Sequence, residues 1–245
     1  MLLKIHKEYK LEIIVDLCNQ HHGSLMELQR MALNAWRAGA DIVKIQLIDS
    51  EKHFGTPERK YRDIDYSTFV ELKRFCDNLN IPLMATPFDV ERFKWIQDSG
   101  IDRYKIASRT VVEDPELCEI ILAENKPTLI STGMLPPNEF PFGHHENIDY
   151  LFCVSKYPTF LHDPEIKEMP RRFSGKSYIG YSDHTIGIAA AVQAYFRGAF
   201  ILEKHYSNNI MAQSRFEGGH LGSFDECSLK QFKDLIKELE ILGSQ

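Results

Sequence analysis

A (β/α)8 (TIM) barrel is the fold this sequence predicts, and three observations carry the expectation. Eight short runs rich in Ile, Val, Leu and aromatics alternate with segments of helical periodicity. The 245 residues suit a single such barrel, which typically takes about 250. Polar residues gather at the C-terminal ends of these runs all along the chain. A doubly wound open sheet, the alternative, would concentrate them at one crossover point.

The first strand, 11–17, is apolar on both faces, as in a sheet covered on both sides. Helix 25–38 follows, with Gly39 as its stop. Strand 41–47 leads to helix 66–79, where Phe69, Leu72, Phe75, Cys76 and Leu79 share one side. Strand 82–86 precedes helix 90–97, and strand 103–108 precedes helix 115–123. Strand 127–131 is joined to strand 148–154 by LPPNEFPFGHHEN. Three prolines and a glycine exclude an ordinary helix there. An irregular crossover over 136–147 is therefore expected in place of the fifth helix, as the one irregular unit. Strand 177–181 leads to helix 188–196, and strand 199–204 precedes helix 229–242. No repeat, low-complexity stretch or linker interrupts the pattern, so one domain over 1–245 is expected.

Composition narrows the function. Hydrophobic content of 43% supports a real core, and a formal net charge of -6 argues against a nucleic-acid surface. No run reaches membrane-spanning length, and the N-terminal apolar run is too short for a signal peptide. Cys18, Cys76, Cys118, Cys153 and Cys227 are scattered with no CxxC pair, which points to a reducing cytoplasm.

In a barrel of this class the C-terminal ends of the strands build the site. In order they offer Asp16, Asn19, Gln20 and His21; Lys44 and Gln46; Thr86; Lys105 and Ser108; Ser131 and Thr132; Ser155, Lys156 and Tyr157; Ser182, Asp183 and His184; Glu203, Lys204 and His205. Lysines inside apolar strand patterns are costly unless paired, so Lys44 and Lys105 with nearby hydroxyls suggest a polyanion site. His184 alone is equally a neighbour of a helix cap. With His205 at the next strand end, the pair suggests a metal site.

Eight stretches then take on a shared meaning: NQHHGS, AGADIVKIQ, ATPFD, YKIAS, ISTGM, CVSKYPT, GYSDHTIG and ILEKH. In this order the sequence resembles the sialic acid (N-acetylneuraminate) synthase family over roughly residues 12–206. The resemblance implies condensation of phosphoenolpyruvate with an aldose to a 2-keto sugar acid, releasing phosphate, in surface-polysaccharide biosynthesis. It implies a divalent metal, Mn2+ or Mg2+, on His184 and His205, and a carboxylate, Asp16, that orients or deprotonates the attacking water. Lys44, Lys105, Ser108, Ser131, Tyr157 and Ser182 would hold phosphoenolpyruvate. Gln46, Thr86, Ser155 and Asp183 complete the expected substrate set. A homodimer is implied as well. Two other readings stay open: an octulosonate-phosphate-synthase-like enzyme with a phosphorylated aldose, and a non-catalytic phosphoenolpyruvate- or phosphosugar-binding barrel.

The chain also departs from the family pattern. Asp16 stands where a glutamate is usual, shorter by about 1.5 Å. Arg109 and Thr110 replace a glycine and an acid, and SNNIMAQSRFEGGH replaces a proline–glycine segment. An antifreeze-like C-terminal domain is not expected. The donor half of the site is retained and the sugar half rewritten, and Arg109 suggests an acceptor that carries negative charge.

Overall fold

The computed structural model describes residues 10–18, 20–209 and 221–243. Eight parallel strands form one sheet: β1 Glu12–Asp16, β2 Ile42–Leu47, β3 Leu83–Pro87, β4 Tyr104–Ile106, β5 Thr128–Ser131, β6 Ile148–Cys153, β7 Tyr178–Asp183 and β8 Ile201–His205. Their order is β3-β2-β1-β8-β7-β6-β5-β4. β1 pairs with β8, so first and last strands meet, as the (β/α)8 expectation requires. β3 and β4 pack side by side at the seam, with no paired register among the described residues.

Local chemistry explains where the helices start and stop. Helix α1, Leu25–Ala38, begins where Ser24 Oγ accepts from Glu27 N–H, and ends at Gly39 with φ of 110°. Helix α2 is Ser50–Phe54, capped by Asp49, and a 3-10 turn spans Pro57–Arg62. Helices α3, Tyr66–Asn78, and α4, Val90–Asp98, start on the carboxylates of Asp65 and Asp89. Helix α5 is Ser108–Glu113, and α6, Pro115–Leu122, has Asp114 as cap and Pro115 in its first turn. Helices α7, Ala189–Phe196, and α8, Glu226–Gly243, complete the outer layer.

The fifth crossover is irregular, as expected. Its backbone is satisfied by tyrosines from the neighbouring strands: Phe142 N–H donates to Tyr150 Oη, Tyr150 Oη–H to the Gly143 carbonyl, and Asn138 N–H to Tyr178 Oη. His144 packs on Phe140 and Tyr150 in this loop. The expectation of a single irregular unit was too narrow. Between β6 and β7 there is no α-helix either, only a 3-10 turn at Pro164–Glu168. Pro158, Pro164 and Pro170 break that connection as the prolines break the fifth.

The barrel interior is layered. At the N-terminal end Arg103 Nη1 donates to Glu12 Oε2 at 2.6 Å. Above this ion pair, Ile14, Met84, Leu129, Leu151 and Ile201 form a dry apolar layer. Polar side chains fill the C-terminal end. β7 enters this interior through Gly180, where an added Cβ would lie 2.2 Å from the Ile201 carbonyl oxygen. Gly180→Ala is expected to destabilise the protein by about 3 kcal/mol, a Tm loss of roughly 6–12 °C, which differential scanning calorimetry would read. An unchanged Tm would show that β7 and β8 are not packed this closely.

Among the described residues no helix is long and apolar enough to cross a membrane.

Candidate active site

Strand alternation decides which side chains enter the barrel. In β1, Ile13 and Val15 join the helix-facing core, whereas Ile14 and Asp16 point inward. In β2, Val43, Ile45 and Leu47 face the helices, and Lys44 and Gln46 face the interior. β8 places Leu202 outward and Ile201, Glu203 and His205 inward. One pocket at the C-terminal end is lined by Asp16, Lys44, Gln46, Thr86, Lys105, Ala107, Ser108, Ser131, Cys153, Tyr157, Ser182, His184, Glu203 and His205.

Two lysines and two carboxylates form its floor. Lys44 Nζ donates to Asp16 Oδ2 at 2.6 Å and to Thr86 Oγ1 at 3.2 Å, with Glu203 Oε1 at 3.4 Å. Gln46 Nε2 donates to the same Asp16 oxygen at 2.8 Å, and Cys18 N–H to Asp16 Oδ1. Lys105 Nζ donates to Ser131 Oγ at 2.9 Å and lies 3.7 Å from Glu203 Oε2, which accepts from Ser182 Oγ at 2.7 Å. Ser108 Oγ accepts from Gly133 N–H.

Burial and pairing compete over these charges. Burial works to raise the Asp16 carboxyl, but Lys44, Gln46 and the Cys18 N–H hold it below the ordinary carboxylate range. Burial likewise opposes the Glu203 charge, and Lys105 and Lys44 overcome it. Lys44, despite burial, is pushed up to about 12 by Asp16 and Glu203. Lys105 is held below the usual lysine range, mainly by burial, because Glu203 offsets only part of that cost.

The two histidines meet. Their ring centroids are 5.3 Å apart, and the Tyr157 ring lies 4.3 Å from His184 and 5.9 Å from His205. His184 Nδ1 donates to the Val154 carbonyl at 2.8 Å, with Cys153 Sγ at 3.7 Å; burial opposes the ring's charge, but Cys153 and this carbonyl outweigh it and hold His184 above the ordinary imidazole range. His205 Nε2 is 3.8 Å from Asp16 Oδ2. Burial first, then the His184, Lys44, Lys204 and Arg62 charges, hold His205 well below the ordinary imidazole range, so it is neutral. Two adjacent imidazoles, one held neutral and the other oriented by a backbone carbonyl, suit a divalent metal that keeps positions open for substrate. Among the described residues no group of three or more His, Cys, Asp or Glu is arranged to hold an ion.

Three sequence expectations need correction. Asp183 is not in the pocket. Ser182 points in, so alternation turns Asp183 out, where it accepts from Lys204 Nζ at 2.8 Å and from Thr185. Ser155 lies behind the loop after β5, its buried hydroxyl beside Gly133 and without a hydrogen bond. Arg109 does not line the pocket, and its guanidinium donates to Glu113 on the same helix at 2.8 Å. Gln20 and His21 are buried near β1 but also off the pocket wall. Asn19 and 210–220, which include most of the rewritten segment, lie outside the described residues. Conversely, the substrate set read from the sequence omitted Glu203 and Cys153. The signal for Glu203 was present: it sits two residues before His205, on the same face of β8.

The polar floor, the histidine pair and the barrel can be set beside known proteins. The model of the NeuB family matches residues 31–244. The chain belongs to the NeuB family. Among similar proteins, the N,N'-diacetyllegionaminic acid synthase of Legionella pneumophila is 28% identical over 264 residues, covering 95% of this chain and 73% of that protein. A pseudaminic acid synthase of Campylobacter jejuni is 28% identical over 260 residues, covering 94% and 74%. Human N-acetylneuraminate-9-phosphate synthase is 26% identical, covering 95% and 71%. The crystal structure of the N-acetylneuraminic acid synthetase of Leptospira borgpetersenii, in complex with citrate, superposes with a TM-score of 0.80 at 25% identity, over 95% of this chain and 84% of that one. NeuB membership and this superposition agree with the barrel and with the resemblance carried by the eight stretches.

Proposed function

We propose that this NeuB-family chain is an enzyme of carbohydrate biosynthesis that condenses phosphoenolpyruvate with a sugar aldehyde, giving a 2-keto sugar acid and phosphate. The observation that carries the reading is the buried floor. Lys44, Lys105, Ser131 and Ser182 converge there on Glu203 and Asp16, beside the His184–His205 pair. A small polyanion that carries both a carboxylate and a phosphate needs cations and short hydroxyl donors in a dry site. An aldehyde needs an electrophilic partner next to it.

Phosphoenolpyruvate lies on Lys44 and Lys105, with Ser108, Ser131, Ser182 and Tyr157 around it. C3 forms a bond to the aldehyde carbon, and the new alkoxide takes up a proton. Water adds at C2, its proton passing to a carboxylate. The C2–O bond to phosphate then breaks as the C2 hydroxyl becomes the ketone and gives its proton to the departing phosphate; the other proton of the water balances the one taken up by the alkoxide, so one water is consumed and one phosphate released. Asp16 holds that water, and Glu203 fixes both ammonium groups and the Ser182 hydroxyl. His184 and His205 would hold a divalent cation, manganese or magnesium, which when bound would supply Lewis-acid polarisation of the aldehyde oxygen. We place this activity in surface-polysaccharide biosynthesis.

The test is phosphate release from phosphoenolpyruvate against a panel of aldoses, with and without manganese. No release with any sugar would overturn the reading. Lys105→Ala is expected to weaken phosphoenolpyruvate binding by roughly 1.5–3 kcal/mol, the scale of a charged hydrogen bond. Unchanged affinity by calorimetry would remove Lys105 from the site.

A further inference from the structure

Sheet pairing between β7 and β8 ends at the register pair Asp183–Lys204, so His184 lies just beyond it, whereas His205 is paired with Asp16 of β1. Both residues of that last pair face away from the pocket, because Ser182 and Glu203 face into it. There they form an ion pair closed to solvent, with side-chain exposures of 0% for Asp183 and 1% for Lys204. The Lys204 ammonium donates to Asp183 Oδ2 at 2.8 Å and to the Thr185 carbonyl at 2.6 Å. Asp183 Oδ1 accepts from the Thr185 N–H at 2.8 Å and from its hydroxyl at 2.7 Å. The residues on either side of His184 are thus tied to one ammonium group. That group belongs to the residue directly before His205.

Backbone contacts converge on the same place. Thr159 N–H donates to the His184 carbonyl at 2.9 Å, and Phe224 N–H to the His205 carbonyl at 2.7 Å. The Lys204 ammonium lies over the Phe224 ring, 5.4 Å from its centroid. Close by, an added Cβ at Gly222 would lie 2.3 Å from the His184 carbonyl oxygen. The ion pair reaches neither the pocket nor the solvent, so it holds no substrate. As a stabiliser it is a poor choice. Taking two charges out of water is costly, and apolar residues of similar volume do as well or better. What the pair supplies is direction: its hydrogen bonds fix the chain before and after His184 against β8.

We infer that the buried Lys204–Asp183 ion pair is a clasp that sets His184 at its spacing from His205, so that the two imidazoles can share one divalent cation. The inference rests on the shared-cation reading above. His205 is held by strand pairing on the β1 side, and His184 is held to it through Lys204. Contacts that orient metal-binding imidazoles from behind tune the affinity of the site. Lys204 and Asp183 touch no reacting atom and are positioning residues.

Asp183→Asn, Lys204→Met and the double variant separate positioning from stability. Lys204→Met alone leaves the carboxylate buried without its cation and is expected to lower Tm. The double variant has no orphan charge, keeps an acceptor for Thr185, and is expected to recover most of that Tm. Its affinity for Mn2+, titrated into metal-free protein without substrate and read by electron paramagnetic resonance of the free ion, is expected to stay about tenfold or more below wild type. Phosphoenolpyruvate affinity in chelator should stay within about threefold. Mn2+ affinity that returns together with Tm would make the pair a stabiliser only and overturn the inference. An equal loss of phosphoenolpyruvate affinity would mark a general collapse of the strand ends and overturn it too. If the wild type binds no Mn2+, the shared-cation reading fails and a crystal structure of the double variant decides: ring centroids that move apart from 5.3 Å support the clasp, and an unchanged spacing overturns it. If the double variant does not fold, Asp183→Asn, which keeps the Thr185 bonds, carries the same measurements.

Discussion

Asp16→Asn is expected to lower kcat by about 10²- to 10⁴-fold, the range of a positioned general base, while phosphoenolpyruvate still binds. The substitution is nearly isosteric. Oδ1 keeps the Cys18 N–H, but the amide presents a donor where Lys44 at 2.6 Å and Gln46 at 2.8 Å now find an acceptor. Lys44 is left with Glu203 as its remaining carboxylate, at 3.4 Å, and its charge is then more available to an anionic ligand. Loss of one partner of a buried pair also destabilises, by about 3–5 kcal/mol, so a circular dichroism melt must accompany the kinetics. Asp16→Glu, which keeps the charge and lengthens the reach, should retain more turnover than the asparagine variant. A fully active Asp16→Asn would show that the carboxylate only holds Lys44.

His184→Ala and His205→Ala are each expected to abolish manganese-dependent turnover, by about 10³-fold or more, the several kcal/mol of a lost Lewis acid. Each should also remove the metal retained after gel filtration, measured by elemental analysis. The rings are adjacent, and His184 is oriented by the Val154 carbonyl, so either change removes half of the imidazole pair without touching the lysine floor. Phosphoenolpyruvate affinity measured in chelator should stay within about threefold of wild type, a change of less than 1 kcal/mol. Wild-type metal content in both variants would place the ion elsewhere.

Much of this was legible in the sequence because a barrel translates position along a strand into depth and parity into direction. Lys44 and Gln46 are two apart on β2, and Glu203 and His205 two apart on β8, and each pair enters one chamber. The same parity excludes Asp183, adjacent to Ser182, although proximity in sequence had suggested otherwise. Loops do not obey this rule. Ser155 lies two residues beyond the end of β6, and nothing periodic determines whether its hydroxyl turns inward or behind Gly133. The missing sixth helix was foreshadowed by three prolines, but they are spread thinly enough to read as ordinary loop punctuation.

The apolar layer of Ile14, Met84, Leu129, Leu151 and Ile201 makes the barrel a well with a sealed bottom. Whatever rests on Lys44 and Lys105 can leave only by the way it came. With the donor on the floor and the aldose at the rim, as proposed, the donor is expected to bind first and the phosphate to leave last, an order that product-inhibition patterns would check.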